Sequence, residues 1–166
     1  MVAGASTDKQ VYLCCASDGS TNSFVAHDAP VRSVRFIKTR SGPADVLATG
    51  SWDGTVRYWD LRNTTSPFVQ LKTKERVYSM DTGGKMLVIA TADRHIHIVD
   101  LQTEPAVFEK TTTNHPLNHQ STIVAVMPSG KGYAVGSIEG RVSLQMIQEM
   151  NKSRYVTRIF SHPPPS

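Results

Sequence analysis

The chain repeats itself. The segment GSWDGTVRYWDL at 50–61 lies over ATADRHIHIVDL at 90–101 at an offset of 40 residues, without a gap. Asp53 falls on Asp93, Val56 on Ile96, Tyr58 on Ile98, and Asp60-Leu61 on Asp100-Leu101. Two more copies fit: GSIEGRVSLQMI at 136–147, with Glu139 in the Asp place, and ASTDKQVYLCC at 5–15, with Asp8 there. The four acidic positions are spaced by 45, 40 and 46 residues. A period of that size means one supersecondary unit used several times, because a single unit of this kind cannot bury its apolar face alone.

The local pattern inside a copy is β throughout. VLATG at 46–50 is an apolar, β-branched run, and TVRYW at 55–59 is rich in β-branched and aromatic residues. SWDG between them is a hairpin signal, with Asp-Gly suited to positive φ. VRSVRF at 31–36 and FVQL at 68–71 supply a strand before and a strand after. No sustained apolar stripe of period 3.6 exists. Four short strands in about 40–45 residues, closing near Trp-Asp, are the blade signature of the WD-repeat β-propeller. The expected fold is therefore all-β, a propeller of about four blades' worth. Its units are a partial blade at 1–24, a complete blade at 25–65, blades at 66–104 and 105–150, and a strand with a Pro-rich end at 151–166. VAGAS aligns with the second strand of a blade, and the proline run at the other end cannot continue a ladder. The expectation is a fragment of a larger propeller, marginal or aggregation-prone in isolation because an open stack exposes faces and edges.

The second unit carries the internal hydrogen-bond set of the WD repeat. His27 stands in the loop leading into the blade, Thr49 in its second strand, Asp53 in the turn and Trp59 in the third strand. A buried indole N–H needs an acceptor, and hydroxyl, imidazole and carboxylate groups can satisfy one another. A His/Asp/Thr catalytic site is the rival reading, but the same spacing is accounted for by packing. The other copies lack the set: Val99 and Gln145 replace Trp59, and Ile89 and Val135 replace Thr49. Those units are expected to rely on apolar packing between sheets.

Composition narrows the function classes. The net charge is +4, from 18 Lys+Arg against 14 Asp+Glu, with the basic residues scattered. That mildly favours acidic partners. No apolar run of about 18 residues predicts a membrane span, and the first residues lack a secretory pattern. Cys14 and Cys15 are the only cysteines, too few for a disulfide framework or a zinc set, which points to a reducing compartment. There is no Gly-x-Ser-x-Gly, Walker or dinucleotide glycine pattern, so no enzyme activity and no cofactor are expected. His95 and His97 alternate on one strand without a third ligand, so a structural role is favoured over a metal site. Tyr12, Tyr58, Tyr78 and Tyr133 fall in strands and are expected in the core or between blades.

Several stretches occur in one order: HDAPVRSVRF (27–36), ATGSWDGTVRYWDLR (48–62), ERVYSMD (75–81), VIATADRHIHIVDL (88–101), PLNHQ (116–120) and GYAVGSIEGRVSLQMI (132–147). Together they resemble the GLEBS-binding WD-repeat family, which comprises mRNA export factors of the nuclear pore and a mitotic checkpoint WD-repeat protein. HDAP, GSWD, ERVY and SIEGR are shared by both branches, and the polar linker LRNTTSP favours the export branch. The resemblance covers roughly residues 3–160 and corresponds to middle blades of a seven-bladed propeller. It departs at Asn118 and at STIVAV (121–126). It implies a non-enzymatic adaptor binding the GLEBS motif, a short acidic-plus-apolar hairpin of a nucleoporin, and supporting poly(A) RNA export. It also implies RNA or ribonucleoprotein as a further partner, no membrane insertion, and a location at the nucleus, nuclear pore or nuclear envelope and also in the cytoplasm. The alternatives are a spindle checkpoint adaptor binding checkpoint kinases, and a propeller platform in an enzyme complex. Within the motif SIEGR, Arg141 is expected to pair with a glutamate of GLEBS.

The turns between second and third strands lie on one rim of a propeller. Here they carry Asp8-Lys9, Asp53-Gly54, Asp93-Arg94 and Glu139-Gly140-Arg141, with the loop of His27 on the same rim. Lys9, Arg94, Glu139 and Arg141 are thus the candidate partner-binding set, and an Arg can hold a carboxylate bidentately. The plainer alternative is that each basic side chain is solvated or paired with its neighbouring acid. For Arg141 the family resemblance favours the binding role.

Overall fold

A computed structural model describes residues 1–38, 46–102, 110–114, 117, 119–147 and 155–160. The described elements are fifteen strands: β1 (Val2–Ala5), β2 (Gln10–Cys14), β3 (Thr21–Val25), β4 (Val31–Ile37), β5 (Val46–Ser51), β6 (Thr55–Asp60), β7 (Val69–Lys72), β8 (Val77–Gly83), β9 (Met86–Thr91), β10 (His95–Asp100), β11 (Lys110–Asn114), β12 (Ser121–Val126), β13 (Gly132–Ser137), β14 (Val142–Ile147) and β15 (Tyr155–Phe160). They form four antiparallel sheets of consecutive strands: β1–β3, β4–β7, β8–β11 and β12–β15. The arrangement is all-β, a stack of antiparallel sheets with the form of part of a β-propeller. Among the described residues no helix is long and apolar enough to cross a membrane.

The sheets divide the chain differently from the boundaries drawn at 65/66 and 104/105. β7 completes the second sheet, β11 the third, and β15 the fourth. A sequence unit cut just after Trp-Asp stops at the third strand. The hydrogen-bond ladder goes on through the next linker to an outer fourth strand.

Both parities of the central strands are apolar because the sheets stack face to face. Leu47 and Trp59 pack against Val11 and Leu13 of the first sheet. Their neighbours Val46, Ala48 and Tyr58 face the third sheet, meeting Val77, Met80, Leu87 and Ile89. In β9 the alternation continues: Met86, Val88 and Ala90 turn to Val124, Tyr133 and Val135 of the fourth sheet. A strand buried on both faces reads as a continuous apolar run, as MLVIAT does. Fully burying one such side chain stabilises by about 1.5–3 kcal/mol.

One of the four tyrosines expected in the core or between blades is elsewhere. Tyr58 and Tyr133 are fully buried. Tyr12 is 44% exposed and donates its hydroxyl to Asp8 at 2.7 Å. It stands on the face of β2 opposite Val11 and Leu13. Tyr78 is half-buried beside a cleft between sheets, because a bulge lifts it out of the alternation.

Neighbouring sheets meet along β4, β8 and β12. Ser33 bonds the backbone of Met80, the Ser79 hydroxyl accepts from Val124 N–H at 3.1 Å, and Arg35 donates from Nε to Asp81 at 2.9 Å. The other Asp81 oxygen accepts from Val126 N–H at 2.7 Å. Partner numbers rise together along these strands, so the three run parallel and begin at the same edge.

Candidate functional site

That common edge carries the hairpin turns. Trp52 N–H bonds Pro30 O, Ala92 N–H bonds Arg76 O, and Ile138 N–H bonds Gln120 O, so each turn sits beside the start of its own inner strand. Val31 N–H to Ser6 O brings the β1–β2 turn to the same edge. Asp8, Asp53, Asp93 and Glu139 therefore occupy equivalent places on one rim.

The turns share one backbone form. Gly54 N–H reaches Ser51 O at 3.3 Å, Arg94 N–H reaches Thr91 O at 3.2 Å, and Gly140 N–H reaches Ser137 O at 3.2 Å. The residue after each acid is left-handed: Lys9 (φ 74), Gly54 (φ 74), Arg94 (φ 63) and Gly140 (φ 75). A type I turn closed by such a residue matches the twist of the strands it joins. Register now separates the basic residues. Lys9 and Arg94 sit at the turn tip, where the other two turns have glycine. Arg141 sits one place further on, aligned with Gln10, Thr55 and His95.

The acid of each turn reaches back to that next residue. Asp8 accepts from Gln10 N–H at 3.0 Å, and Asp53 accepts from Thr55 N–H at 2.9 Å and from its hydroxyl at 2.6 Å. Asp93 lies 2.8 Å from His95 Nδ1, and Glu139 lies 3.8 Å from Arg141 Nε. Glu139 also lies 3.4 Å from His119 Nε2. His119 stands two residues before β12, whereas His27 stands four before β4, so the Glu139–His119 contact lies on the same rim as the Asp53–His27 one but out of register with it. His115 and Asn118 lie outside the described residues.

His27, Thr49, Asp53 and Trp59 form one bonded chain. Trp59 Nε1–H donates to Thr49 Oγ1 at 2.9 Å, Thr49 Oγ1 is 2.7 Å from His27 Nε2, and His27 Nδ1 is 2.9 Å from Asp53. An ionised Asp53 requires a proton on Nδ1, so Nε2 accepts the Thr49 hydroxyl. The imidazole is neutral: burial pushes its pKa below 6.5, and Arg57 adds to that, against the pull of Asp53. Burial pushes Asp53 up, but hydrogen bonds from Thr55 and His27 outweigh it and hold the carboxyl below its usual range. Arg57 binds Ala26 O at 2.9 Å and Asp28 at 2.8 Å, clamping the loop onto the sheet. His27, Thr49 and Trp59 are buried and bonded to one another, so the constellation fastens a loop onto the sheet.

At the turn of the third sheet, Thr91 and His95 are both on Asp93. His97 is buried, its ring stacked near that of His95 at 6.4 Å. In the fourth, buried Gln145 donates to Ser143 at 2.9 Å. Among the described residues no group of three or more His, Cys, Asp or Glu is placed to hold a metal ion. Lys9, Arg94 and Arg141 are all exposed. Arg141, with half its side chain in water and one carboxylate nearby, can exchange that carboxylate for another at small cost.

Residues 18–60 match the WD domain, G-beta repeat family. The chain is 40% identical over 152 residues to the mRNA export factor GLE2 of Chaetomium thermophilum, covering 92% of this chain and 41% of that protein. It is 40% identical over 153 residues to the Poly(A)+ RNA export protein of Schizosaccharomyces pombe, covering 92% and 42%. It is 41% identical over 123 residues to the mitotic checkpoint protein BUB3.1 of Arabidopsis thaliana, covering 72% and 34%. The chain thus spans about two fifths of the length of the curated relatives it matches.

Proposed function

Since this chain is a WD-repeat protein related to mRNA export factors and, over a shorter span, to a mitotic checkpoint protein, we propose that it is a non-enzymatic adaptor in poly(A) RNA export that binds an acidic segment on its turn-bearing rim. The partner in this reading is a nucleoporin carrying a GLEBS-type hairpin, and the place of action is the nuclear pore or envelope. The observation that carries it is Arg141, exposed on the rim, whose side chain has among the described residues the loose 3.8 Å contact to Glu139. A partner glutamate would replace that contact with a bidentate pair. Lys9 and Arg94, at the tips of neighbouring turns, would supply attraction at longer range and be felt in the association rate.

The test is a titration of a GLEBS-type peptide against the chain and its Arg141→Ala variant. Affinity should fall at least about thirtyfold, the lower end of what losing one partner of an interfacial charge pair costs. Unchanged affinity removes Arg141 from the site. The likeness to BUB3.1 supports a second reading, a checkpoint adaptor on the same surface. Co-purification separates them: a pore nucleoporin under the first, checkpoint kinases under the second.

A further inference from the structure

The loop between β6 and β7, residues 61–68, plays no part in the rim. β6 starts beside the Asp53-Gly54 turn and ends at Asp60, so the loop lies at the opposite edge of the second sheet. Both of its ends are fixed. Asn63 N–H bonds Asp60 O at 2.9 Å, and Phe68 N–H bonds Tyr58 O at 3.0 Å. The Phe68 ring also stands 6.5 Å from that of Tyr58. Between these ties runs TTSP at 64–67, outside the sheet ladder.

Two properties set Ser66 apart. Its side chain is exposed and has no hydrogen-bond partner among the described residues. Other exposed loop serines are engaged: Ser17 contacts Cys15 at 3.0 Å, Ser20 donates to Asp18 at 2.7 Å, and Ser129 accepts from Lys131 N–H at 3.4 Å. Ser66 is also followed by Pro67. The chain has nine prolines, and Pro67 alone comes directly after a serine or threonine.

Proline does two things at that place. It drives the preceding residue into an extended conformation. It also removes the N–H that any other residue would present next to the hydroxyl. A kinase cleft that offers this position no acceptor selects proline, because another residue would bury an unpaired donor there. Such a kinase also requires its acceptor hydroxyl on a chain that can lift off the surface. The segment 64–67 meets that requirement: the bond it gives up is Thr65 N–H to the Asn63 side chain, 3.2 Å long.

We propose that Ser66 is a phosphorylation site for a proline-directed protein kinase, on a loop tied at both ends and remote from the turn-bearing rim. Ser66 Oγ attacks the γ-phosphorus of ATP. A new Oγ–P bond forms, and the bond from that phosphorus to the β–γ bridging oxygen breaks. ADP leaves with the bonding pair, and the hydroxyl proton passes to the catalytic carboxylate of the kinase. The product adds about 1.5 to 2 negative charges at this edge of the sheet. The acids and cations of the rim keep their places.

The test incubates the folded full chain with magnesium, ATP and a cyclin-dependent kinase, and locates phosphate by peptide mass mapping. Each variant is first matched to the parent by its melting curve. Ser66 should be phosphorylated, and Ser66→Ala should abolish that incorporation. Pro67→Ala keeps the hydroxyl and should slow the reaction about tenfold, the effect of one unpaired buried donor in the kinase cleft. Thr65→Ala should leave the rate unchanged. A kinase selective for basic flanks should leave Ser66 bare. The proposal is overturned by a folded chain that takes up no phosphate at Ser66, or by uptake only after denaturation. Equal rates for Pro67→Ala and the parent would overturn the assignment to a proline-directed enzyme.

Discussion

At the scale of single residues, Thr49 carries more than its size suggests. Its hydroxyl accepts from the Trp59 indole and donates to His27, and both of those groups are shut away from water. Replacing it with the isosteric Val orphans two buried polar groups without making a cavity. Thr49→Val should therefore cost about 2–6 kcal/mol in chemical denaturation, from about 1–3 kcal/mol per unsatisfied group. The same network sets a pH response. His27 binds its proton less readily folded than unfolded, so its contribution is complete above its ordinary value of 6.5 and declines as pH falls below it. Asp53 is also depressed, so its contribution is complete above 3.8 and declines below that. Both act in one direction. The melting temperature should drop between pH 7 and 5, and the slope should lessen in His27→Gln.

At the scale of elements, two kinds of turn invite opposite predictions. Lys9 holds φ 74 in a place where neighbouring copies use glycine. A side chain there costs about 1–2 kcal/mol, partly offset by the stiffer unfolded chain it gives. Lys9→Gly should raise stability by about 0.5 kcal/mol, read as a shifted denaturation midpoint. At the other edge of the sheets, the β8–β9 turn presses backbone to backbone on the β12–β13 turn. A Cβ on Gly84 (φ 59) would stand 2.9 Å from Gly130 Cα, with no flexible group to yield. Gly84→Ala should destabilise by about 2–4 kcal/mol, adding left-handed strain to overpacking. These elements also show where sequence stops being readable. The strands of the second unit were visible because VLATG and TVRYW are long, apolar and separated by Asp-Gly. The His27 network was visible because its four residues keep a fixed spacing. The place of Arg141 was not: three basic residues near equivalent acids look alike in a string, and only the left-handed position shows that one is a step out of line. The alternation of β8 likewise gave no warning of the bulge at Tyr78, since a bulge adds a residue without changing composition.

At the scale of the molecule, among the described residues no strand of one sheet is laddered to a strand of the next. The joins are apolar faces, side-chain contacts and the backbone bond from Val31 N–H to Ser6 O, and Asp81 takes part on both sides, tied to Arg35 and to Val126 N–H. Asp81→Ala should cost about 1–3 kcal/mol through the amide it strands. It should also speed amide exchange in β12 together with β4, whereas a purely local role would quicken β8 alone. The apolar clusters between sheets are separate, one to each gap, so change in one gap need not propagate to another.

The bulge of β8 has counterparts in β4 and β12. A residue inside a pleat is answerable to the face it points into, and changing it disturbs whatever lies there. Arg32 of β4, Tyr78 of β8 and Thr122 of β12 each stand in a bulge outside the ladder. The three copies of the unit differ there, a cation, a phenol and a small hydroxyl, while the positions that stack sheet on sheet stay apolar in all three.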